Sequence, residues 1–194
     1  MMSRNSDRRD FDVQKSVNER AVVRCLLHGG VAAIPTEGVW GLSASTSDLG
    51  AVQRILAIKQ RSANKGLIVL VTEWSMIDAW IDPRWPRHWP VEVGRPSTWI
   101  VPVSNACPSL LTGGRHTLAV RKVTMPSLVR VVRQTGPLVS TSANRSGRPS
   151  AVSRYEVVLA FANTVDYIAN GRTGGYRGPS TIRDLVTGKI LRGG

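Results

Sequence analysis

Residues 137–151 read PLVSTSANRSGRPSA, an apolar pair that runs without a break into hydroxyl and amide side chains. Leu138–Ser140 predicts a short buried strand, and Ser, Thr and Asn dominate the loop that follows it. Hydroxyl groups held at the end of a buried strand are typical of ligand sites in α/β proteins. A solvent-exposed turn is the alternative interpretation, because Ser and Asn are also favoured in turns.

On both sides of this stretch, short apolar strands alternate with amphipathic helices. The pattern predicts strands at 31–34, 67–71, 98–103, 117–120, 138–140, 165–169, 181–182 and 189–191. It predicts helices at 17–27, 49–59, 74–81, 127–134 and 154–162. Such alternation indicates a single α/β domain. We expect that domain to cover 16–194, with a flexible N-terminal arm at 1–15 and an irregular loop at 82–96.

Size and composition exclude several classes of protein. The chain has 194 residues, of which 42% are hydrophobic and 20% charged, as in one globular domain. No apolar run is long enough to cross a bilayer, and the first residues show no secretory signal. Cys25 and Cys107 form no CxxC pair. We therefore expect a protein of the reducing cytoplasm.

The net charge of +13 is large for this size. It predicts attraction to a phosphate-rich partner, which could be a nucleotide or RNA. An arginine-rich proteome would produce the same surplus, so the charge alone does not choose among these explanations.

Several common functional motifs are missing from the sequence. It contains no GxGxxG, no GxxxxGK[ST] and no GxSxG. These absences argue against a dinucleotide fingerprint, a Walker-type phosphate loop and a serine-hydrolase elbow. His28, His88 and His116 are far apart and lack acidic partners at ligand spacing, so we expect no metal site built from side chains.

Three further segments are candidates for a site. Residues 34–42, IPTEGVWGL, end a strand on a proline and place a threonine beside small glycines. Lys59, Arg61 and Lys65 lie between a helix and a buried strand, where cations could clamp a triphosphate. The strand TLAVR delivers Arg121 at its end. Each segment taken singly also has a structural explanation that fits at least as well. Residues 34–42 would be a turn capped by the threonine, and the three cations would be surface residues favoured by the helix dipole. Arg121 would form a surface ion pair.

In this order and spacing, the four segments resemble the YrdC family, whose enzymes are threonylcarbamoyl-AMP synthases of tRNA modification. The matching segments are IPTEGVWGL at 34–42, LAIKQRSANKGLIVLV at 56–71, TLAVR at 117–121, PLVSTSANRSGRPSA at 137–151 and GPSTIRDLVTGKILRGG at 178–194. The resemblance covers nearly everything from Ser16 onward and fits the short, single-domain form of the family. The chain departs from the family at 91–95, where three residues look inserted and Arg95 replaces a glycine.

The resemblance implies both a fold and a reaction. The fold is an open, twisted α/β domain in which a mixed sheet with flanking helices surrounds a basic cavity. The reaction is a nucleotidyl transfer, in which L-threonine, bicarbonate (or CO2) and ATP give threonylcarbamoyl-adenylate and pyrophosphate. Mg2+ is expected to accompany ATP, held mainly by the phosphates. A downstream transferase complex is expected to move the threonylcarbamoyl group onto adenosine 37 of tRNA.

The resemblance also implies roles for individual residues. Lys59, Arg61 and Arg121 are expected to take part in the chemistry, which consists mainly of positioning and charge neutralisation. The residues expected to contact L-threonine are Thr36, Arg121 and Ser140, with the Arg121 guanidinium on its carboxylate. The residues expected to bind ATP are Lys59, Arg61, Lys65, Thr117, Ser142, Asn144, Ser150 and Arg192.

Two other functions compete with this interpretation. A non-catalytic module that binds double-stranded RNA or tRNA would suit the charge, but it should show stacking aromatics or an RNA-binding motif, which we do not find. A carbamoyl-adenylate-forming domain, as in hydrogenase maturation proteins, would keep the fold. Those domains usually belong to much longer chains.

Overall fold

A mixed β-sheet organises the structure, a computed structural model that describes residues 18–85, 89–90, 97–145 and 147–193. Its strands are β1 Ala32–Pro35, β2 Trp40–Ser45, β3 Ile68–Val71, β4 Thr98–Pro102, β5 Thr117–Lys122, β6 Leu138–Ser142, β7 Tyr167–Ile168, β8 Ile182–Asp184 and β9 Ile190–Arg192. Their spatial order is β7-β1-β2-β6-β3-β5-β4-β8-β9. The pairs β1–β7, β3–β5 and β4–β8 are parallel and the others antiparallel. The predicted α/β class with a mixed sheet and flanking helices is confirmed.

The helices lie between the strands much as predicted. They are α1 at 18–27 of the described residues, α2 Leu49–Ile58, α3 Ser109–Thr112, α4 Pro126–Thr135 and α5 Arg154–Phe161. Asp48 begins α2 by accepting a 2.9 Å hydrogen bond from the Ala51 amide. Ser153 and Glu156 begin α5 with a reciprocal capping box. The predicted helix at 74–81 is a 3-10 helix, Trp74–Trp80, and a second 3-10 turn covers Ala63–Lys65.

Two apolar clusters pack on opposite faces of the sheet. Leu70 and Leu138 enter one cluster, while the neighbouring Val69 and Val139 enter the other. Successive side chains of a strand point to opposite faces, which is what separates the clusters. The first cluster contains side chains of α1, α4 and α5, and the second contains side chains of α2 and α3. Ser140 and Ser142 of β6 share the face of Leu138.

Strand β2 was not predicted from the sequence. The pattern at 34–42 indicated the end of a strand followed by a turn, whereas Trp40–Ser45 forms a strand buried between β1 and β6. Gly and Ser have low strand propensity, and a strand buried along its whole length shows no polar alternation. The short helix α3 was also not predicted. The expected arm at 1–15, most of the loop at 82–96 and the departure at 91–95 lie outside the described residues, so the domain boundaries stay predictions.

Candidate active site

A cavity of about 390 Å³ lies on the sheet face that carries Ser140. Strand register brings its floor together, because Ile68 of β3 pairs with Ser140 of β6 and with Ala119 of β5. Side chains two residues apart on a strand share a face, so Thr117 and Arg121 join Ala119 on this floor. All five segments singled out in the sequence contribute to the lining.

Most of the predicted site residues line this cavity. They are Thr36, Arg61, Lys65, Thr117, Arg121, Ser140, Ser142 and Arg192. Three do not line it, namely Lys59, Asn144 and Ser150. The structure therefore places residues predicted to contact threonine and residues predicted to bind ATP around one cavity, and it places these three residues outside the lining of that cavity.

Basic side chains line the cavity. Arg61, Lys65, Arg115, Arg121 and Arg192 are lining residues, and no carboxylate is among the described residues of that lining. Burial and then the charge of Arg192 lower the pKa of Arg61. Burial likewise lowers the pKa of Arg192. Both shifts indicate cations that are held partly out of water near one another and would gain from an anionic ligand.

Arg61 and Arg115 both lie against the turn at Gly66, at one end of the cavity. The Arg61 Nη2 atom donates a 2.9 Å hydrogen bond to the carbonyl of Gly66. Gly66 has φ +62°, and a Cβ there would lie 3.3 Å from Nη1 of Arg115 and 3.0 Å from the Thr112 carbonyl. A side chain at this position would be strained and crowded, so glycine lets Arg61 and Arg115 approach the same turn.

Arg121 is buried at the other end of the cavity, with only 6% of its surface exposed. Its Nη2 lies 3.3 Å from Oε2 of Glu37, which is also buried. Burial lowers the pKa of Arg121, and the charge of Glu37 opposes that shift. The Nε atom of Arg121 has no hydrogen-bond partner among the described residues. A buried guanidinium with a spare donor suits a carboxylate ligand.

Lys59 ties the loop after β6 to the end of α2. Its Nζ donates to the Ser142 carbonyl at 2.7 Å, to the Asn144 side-chain oxygen at 2.8 Å and to the Asn144 carbonyl. These contacts occupy all three ammonium hydrogens. Burial, with a smaller contribution from the charge of Arg61, lowers the pKa of Lys59 to about 8.

Asn144 completes this arrangement. Its Oδ1 also accepts a 2.7 Å hydrogen bond from the Ser142 hydroxyl, while its Nδ2 donates to the carbonyls of Arg148 at 2.7 Å and Arg145 at 3.1 Å. The side-chain amide of Asn144 thus joins residues before and after it in the loop through hydrogen bonds. Lys59 and Asn144 fix the backbone that presents Ser142 to the cavity.

Thr36 and Gly41 shape the floor between β1 and β2. The Thr36 hydroxyl donates a 2.7 Å hydrogen bond to the Val39 carbonyl, which also accepts the Thr36 amide at 3.0 Å. A Cβ at Gly41 would lie 2.7 Å from the Ser140 hydroxyl and 3.5 Å from the Thr36 methyl. The absence of a side chain at Gly41 leaves room between Thr36 and Ser140.

The C-terminal part of the chain covers this floor. The amides of Gly174 and Tyr176 donate to the carbonyls of Thr36 and Glu37 at 3.0 and 3.1 Å. Further along, the Ser180 hydroxyl lies 2.7 Å from that of Thr98, and Arg192 donates to the Ser180 carbonyl at 3.0 Å. The segment therefore closes one wall and carries Arg192 into the lining.

Sequence reasoning missed several residues of the site. Arg115 and Ser180 line the cavity, and Glu37 holds Arg121 from behind. Arg115 follows two glycines in an irregular loop, so no strand or helix pattern indicated where it would point. Glu37 was visible within IPTEGVWGL, but its partner is 84 positions away, and only the fold joins them.

The described ranges of the chain contain no group of three or more His, Cys, Asp or Glu side chains arranged to hold a metal ion. None of the helices in these ranges has the length and apolar character needed to span a membrane.

Comparisons with known proteins give a consistent result. The family model Sua5_yciO_yrdC, described as "Telomere recombination", matches residues 24–194. The chain is 40% identical over 185 residues to a curated Pseudomonas aeruginosa (strain UCBPP-PA14) protein named threonylcarbamoyl-AMP synthase, covering 91% of this chain and 97% of that protein.

Solved structures show the same similarity. The crystal structure of P. abyssi Sua5 complexed with L-threonine matches with a TM-score of 0.78 at 29% identity, covering 90% of this chain. This chain spans only 53% of that Sua5 chain. The crystal structure of E. coli YciO matches with a TM-score of 0.73 at 25% identity, covering 92% of this chain and 89% of that one.

Proposed function

This chain belongs to the Sua5/YciO/YrdC family, and from that premise we infer that it makes threonylcarbamoyl-adenylate from L-threonine, bicarbonate and ATP. The observation that carries the inference is the cavity, whose described lining combines five cations with no carboxylate and has a buried arginine at one end. A triphosphate and an amino-acid carboxylate are the anions that such a lining would neutralise.

We propose a nucleotidyl transfer as the chemical step. An oxygen of the threonine carbamate attacks the α-phosphorus of ATP, a P–O bond forms, and the bond to pyrophosphate breaks. The protein forms no covalent intermediate, so it acts by alignment and by neutralising charge on the phosphates. The partly closed cavity also protects the carbamate, which loses CO2 readily in water.

The proposed threonine end contains Thr36, Arg121 and Ser140. The Arg121 guanidinium would bind the carboxylate through two parallel hydrogen bonds. The floor between Thr36 and Ser140, opened by Gly41, would take the side chain.

The proposed ATP end contains Arg61, Lys65, Arg192, Thr117 and Ser142. The three cations would neutralise the phosphates, while the hydroxyls would contact the rest of the nucleotide. Because no carboxylate is found in the described lining, Mg2+ would enter as the MgATP substrate, held by the phosphates.

The remaining predicted residues act indirectly in this proposal. Lys59 and Asn144 would order the loop that carries Ser142, since their polar atoms are engaged with that loop. Ser150, which does not line the cavity, would contact the nucleotide only if its loop moves inward.

The product would then pass to a second enzyme. Threonylcarbamoyl-adenylate is a mixed anhydride, and a transferase complex acting on tRNA adenosine 37 would consume it. Direct contact with tRNA or double-stranded RNA, favoured by the charge of +13, belongs to the same proposal. So does a cytoplasmic location, consistent with the free thiols of Cys25 and Cys107.

Pyrophosphate release from ATP and bicarbonate, with and without L-threonine, tests the proposed function. We expect release that requires both threonine and bicarbonate. Absence of release with any amino acid, together with salt-sensitive binding of double-stranded RNA, would replace the synthase by the binding module.

Arg115 provides a prediction for the ATP end. Arg115→Ala is expected to raise the KM for ATP about fivefold, roughly 1 kcal/mol, because one solvent-exposed cation at the phosphates is lost. The KM for threonine should stay within about twofold. Steady-state kinetics check this, with Arg133→Ala on the exposed side of α4 as the matched control. Equal losses for both substrates would contradict a phosphate contact.

Lys59 provides a prediction on pH. Its pKa of about 8 lies below the usual lysine value, so it is protonated at neutral pH and loses its charge as the pH rises. The neutral amine has two hydrogens instead of three, and one loop contact is lost. ATP affinity is therefore expected to fall about tenfold between about pH 7 and about pH 9, measured by calorimetry. Lys59→Met should show no inflection near pH 8; an unchanged wild-type affinity across this range would contradict the prediction.

A further inference from the structure

Glu37 lies behind the cavity and engages two different groups with its two carboxylate oxygens. Oε1 accepts a 3.0 Å hydrogen bond from the Thr124 amide, and Oε2 lies 3.3 Å from Nη2 of Arg121. Only 5% of the residue is exposed; it is absent from the lining of the 390 Å³ cavity and lines a small neighbouring pocket together with Arg121. Its carboxylate therefore reaches the site through Arg121.

The backbone around Glu37 is held on both sides. The Thr36 amide bonds to the Val39 carbonyl, and the Glu37 carbonyl accepts the Tyr176 amide. A Cβ at Gly174 would lie only 3.1 Å from the Glu37 Cα, so the covering segment packs closely here. Glu37 is consequently a rigid anchor, and the position of its carboxylate is fixed before any ligand binds.

Stability alone is a weak reason for this ion pair. Burying two charges costs free energy that their attraction recovers only in part, and an apolar pair often performs as well. The surroundings make the cost larger for Arg121, because the other charged side chains of the described lining are cations. Glu37 opposes the effect of burial on the pKa of Arg121 and keeps a charged guanidinium in the floor.

We propose that Glu37 is a positioning residue for the amino-acid substrate. By holding one edge of the Arg121 guanidinium, it turns the remaining N–H donors toward the cavity, where they meet the substrate carboxylate. Glu37 contacts only Nη2, and Arg121 lines the cavity, so other N–H groups of the guanidinium remain for a second carboxylate. Glu37 is not the base that removes a proton from threonine, since it is absent from the cavity lining, with Oε1 bonded to the Thr124 amide and Oε2 beside Arg121. The proposal rests on the proposed function, which gives Arg121 the threonine carboxylate.

Glu37→Gln is the direct test, because glutamine keeps the size and an acceptor for Thr124 while removing the charge. We expect the Kd for L-threonine to rise about tenfold or more, with the Kd for ATP within about twofold. The preference for L-threonine over threoninol, in which a CH2OH group replaces the carboxylate, should shrink by the same factor as the loss of threonine affinity. A role limited to folding would not change that preference.

Three further variants make the outcome decisive. Glu19→Gln removes a carboxylate that pairs with Arg130 on the surface, and it should change neither affinity. Glu37→Asp keeps the charge and should restore part of the threonine affinity; it also replaces Glu37→Gln if that variant does not fold. In the double variant Glu37→Gln/Arg121→Lys, the loss should be much smaller than the product of the single losses.

Each alternative result has a separate meaning. Unchanged threonine affinity in Glu37→Gln, or equal losses for threonine and ATP, would overturn the positioning role. If Arg121→Lys also binds threonine normally, the assignment of Arg121 in the proposed function fails. If Arg121→Lys loses threonine while Glu37→Gln does not, only the role of Glu37 fails.

Discussion

Arg121→Lys is expected to lower kcat/KM for L-threonine about 100-fold, equivalent to about 2.7 kcal/mol, while ATP affinity stays within about twofold. Lysine keeps the positive charge that pairs with Glu37, so no buried carboxylate is left without a counter-ion. What it loses is the planar fork that binds a carboxylate through two parallel hydrogen bonds. Arg121 is buried, and the missing contact cannot be replaced fully by water.

Steady-state kinetics with each substrate varied in turn measure this effect. Lys122→Gln is the matched control, because Lys122 is the next residue of β5 and its side chain points to the other face of the strand. The control should retain near-normal values for both substrates. A parallel loss for ATP and threonine in Arg121→Lys, accompanied by a lower Tm, would show damage to the fold and contradict a threonine contact.

The sequence predicted the sheet well because most strands are bounded by clear signals. Leu138–Ser142 and Thr117–Lys122 combine apolar residues with an obvious change in polarity at the end. The strand Trp40–Ser45 carried no such signal, since its small polar residues are buried by neighbours distant in the chain. Tertiary context decided that element, as it often does for central strands.

Residue types in the site were easier to predict than their contacts. The motifs indicated Arg61 and Arg121 as ligand groups, and both line the cavity. They also indicated Lys59, whose ammonium is instead engaged with the loop around Asn144. The direction of a long side chain depends on which hydrogen-bond acceptors lie within its reach. For Lys59 those acceptors belong to Ser142 and Asn144, at the end of β6 and in the loop after it, more than 80 positions later in the chain. No local pattern contains that information.

Lys59→Met is expected to weaken ATP binding about 100-fold, because three contacts to the loop after β6 are lost together. Methionine fills a similar volume, but it removes the ammonium donor from the carbonyls of Ser142 and Asn144, and the Ser142 carbonyl then keeps only the Asn144 amide at 3.0 Å. A buried acceptor without a partner costs about 1–3 kcal/mol, and the loop lowers that cost by moving its part-buried carbonyls toward water. Ser142 would then leave the cavity wall, and threonine affinity should fall much less.

Comparison of ATP with AMP separates this clamping role from a direct phosphate contact. If Lys59 acts through the loop, Lys59→Met weakens both nucleotides by a similar factor, since the loop contacts the part that they share. If its ammonium instead binds the β- or γ-phosphate, ATP affinity falls while AMP affinity hardly changes. Lys189→Met removes an exposed lysine near the C-terminal hairpin and serves as the control. Calorimetric titration of the three proteins with both nucleotides therefore assigns the role of Lys59, because the two mechanisms predict different ratios of the two affinities.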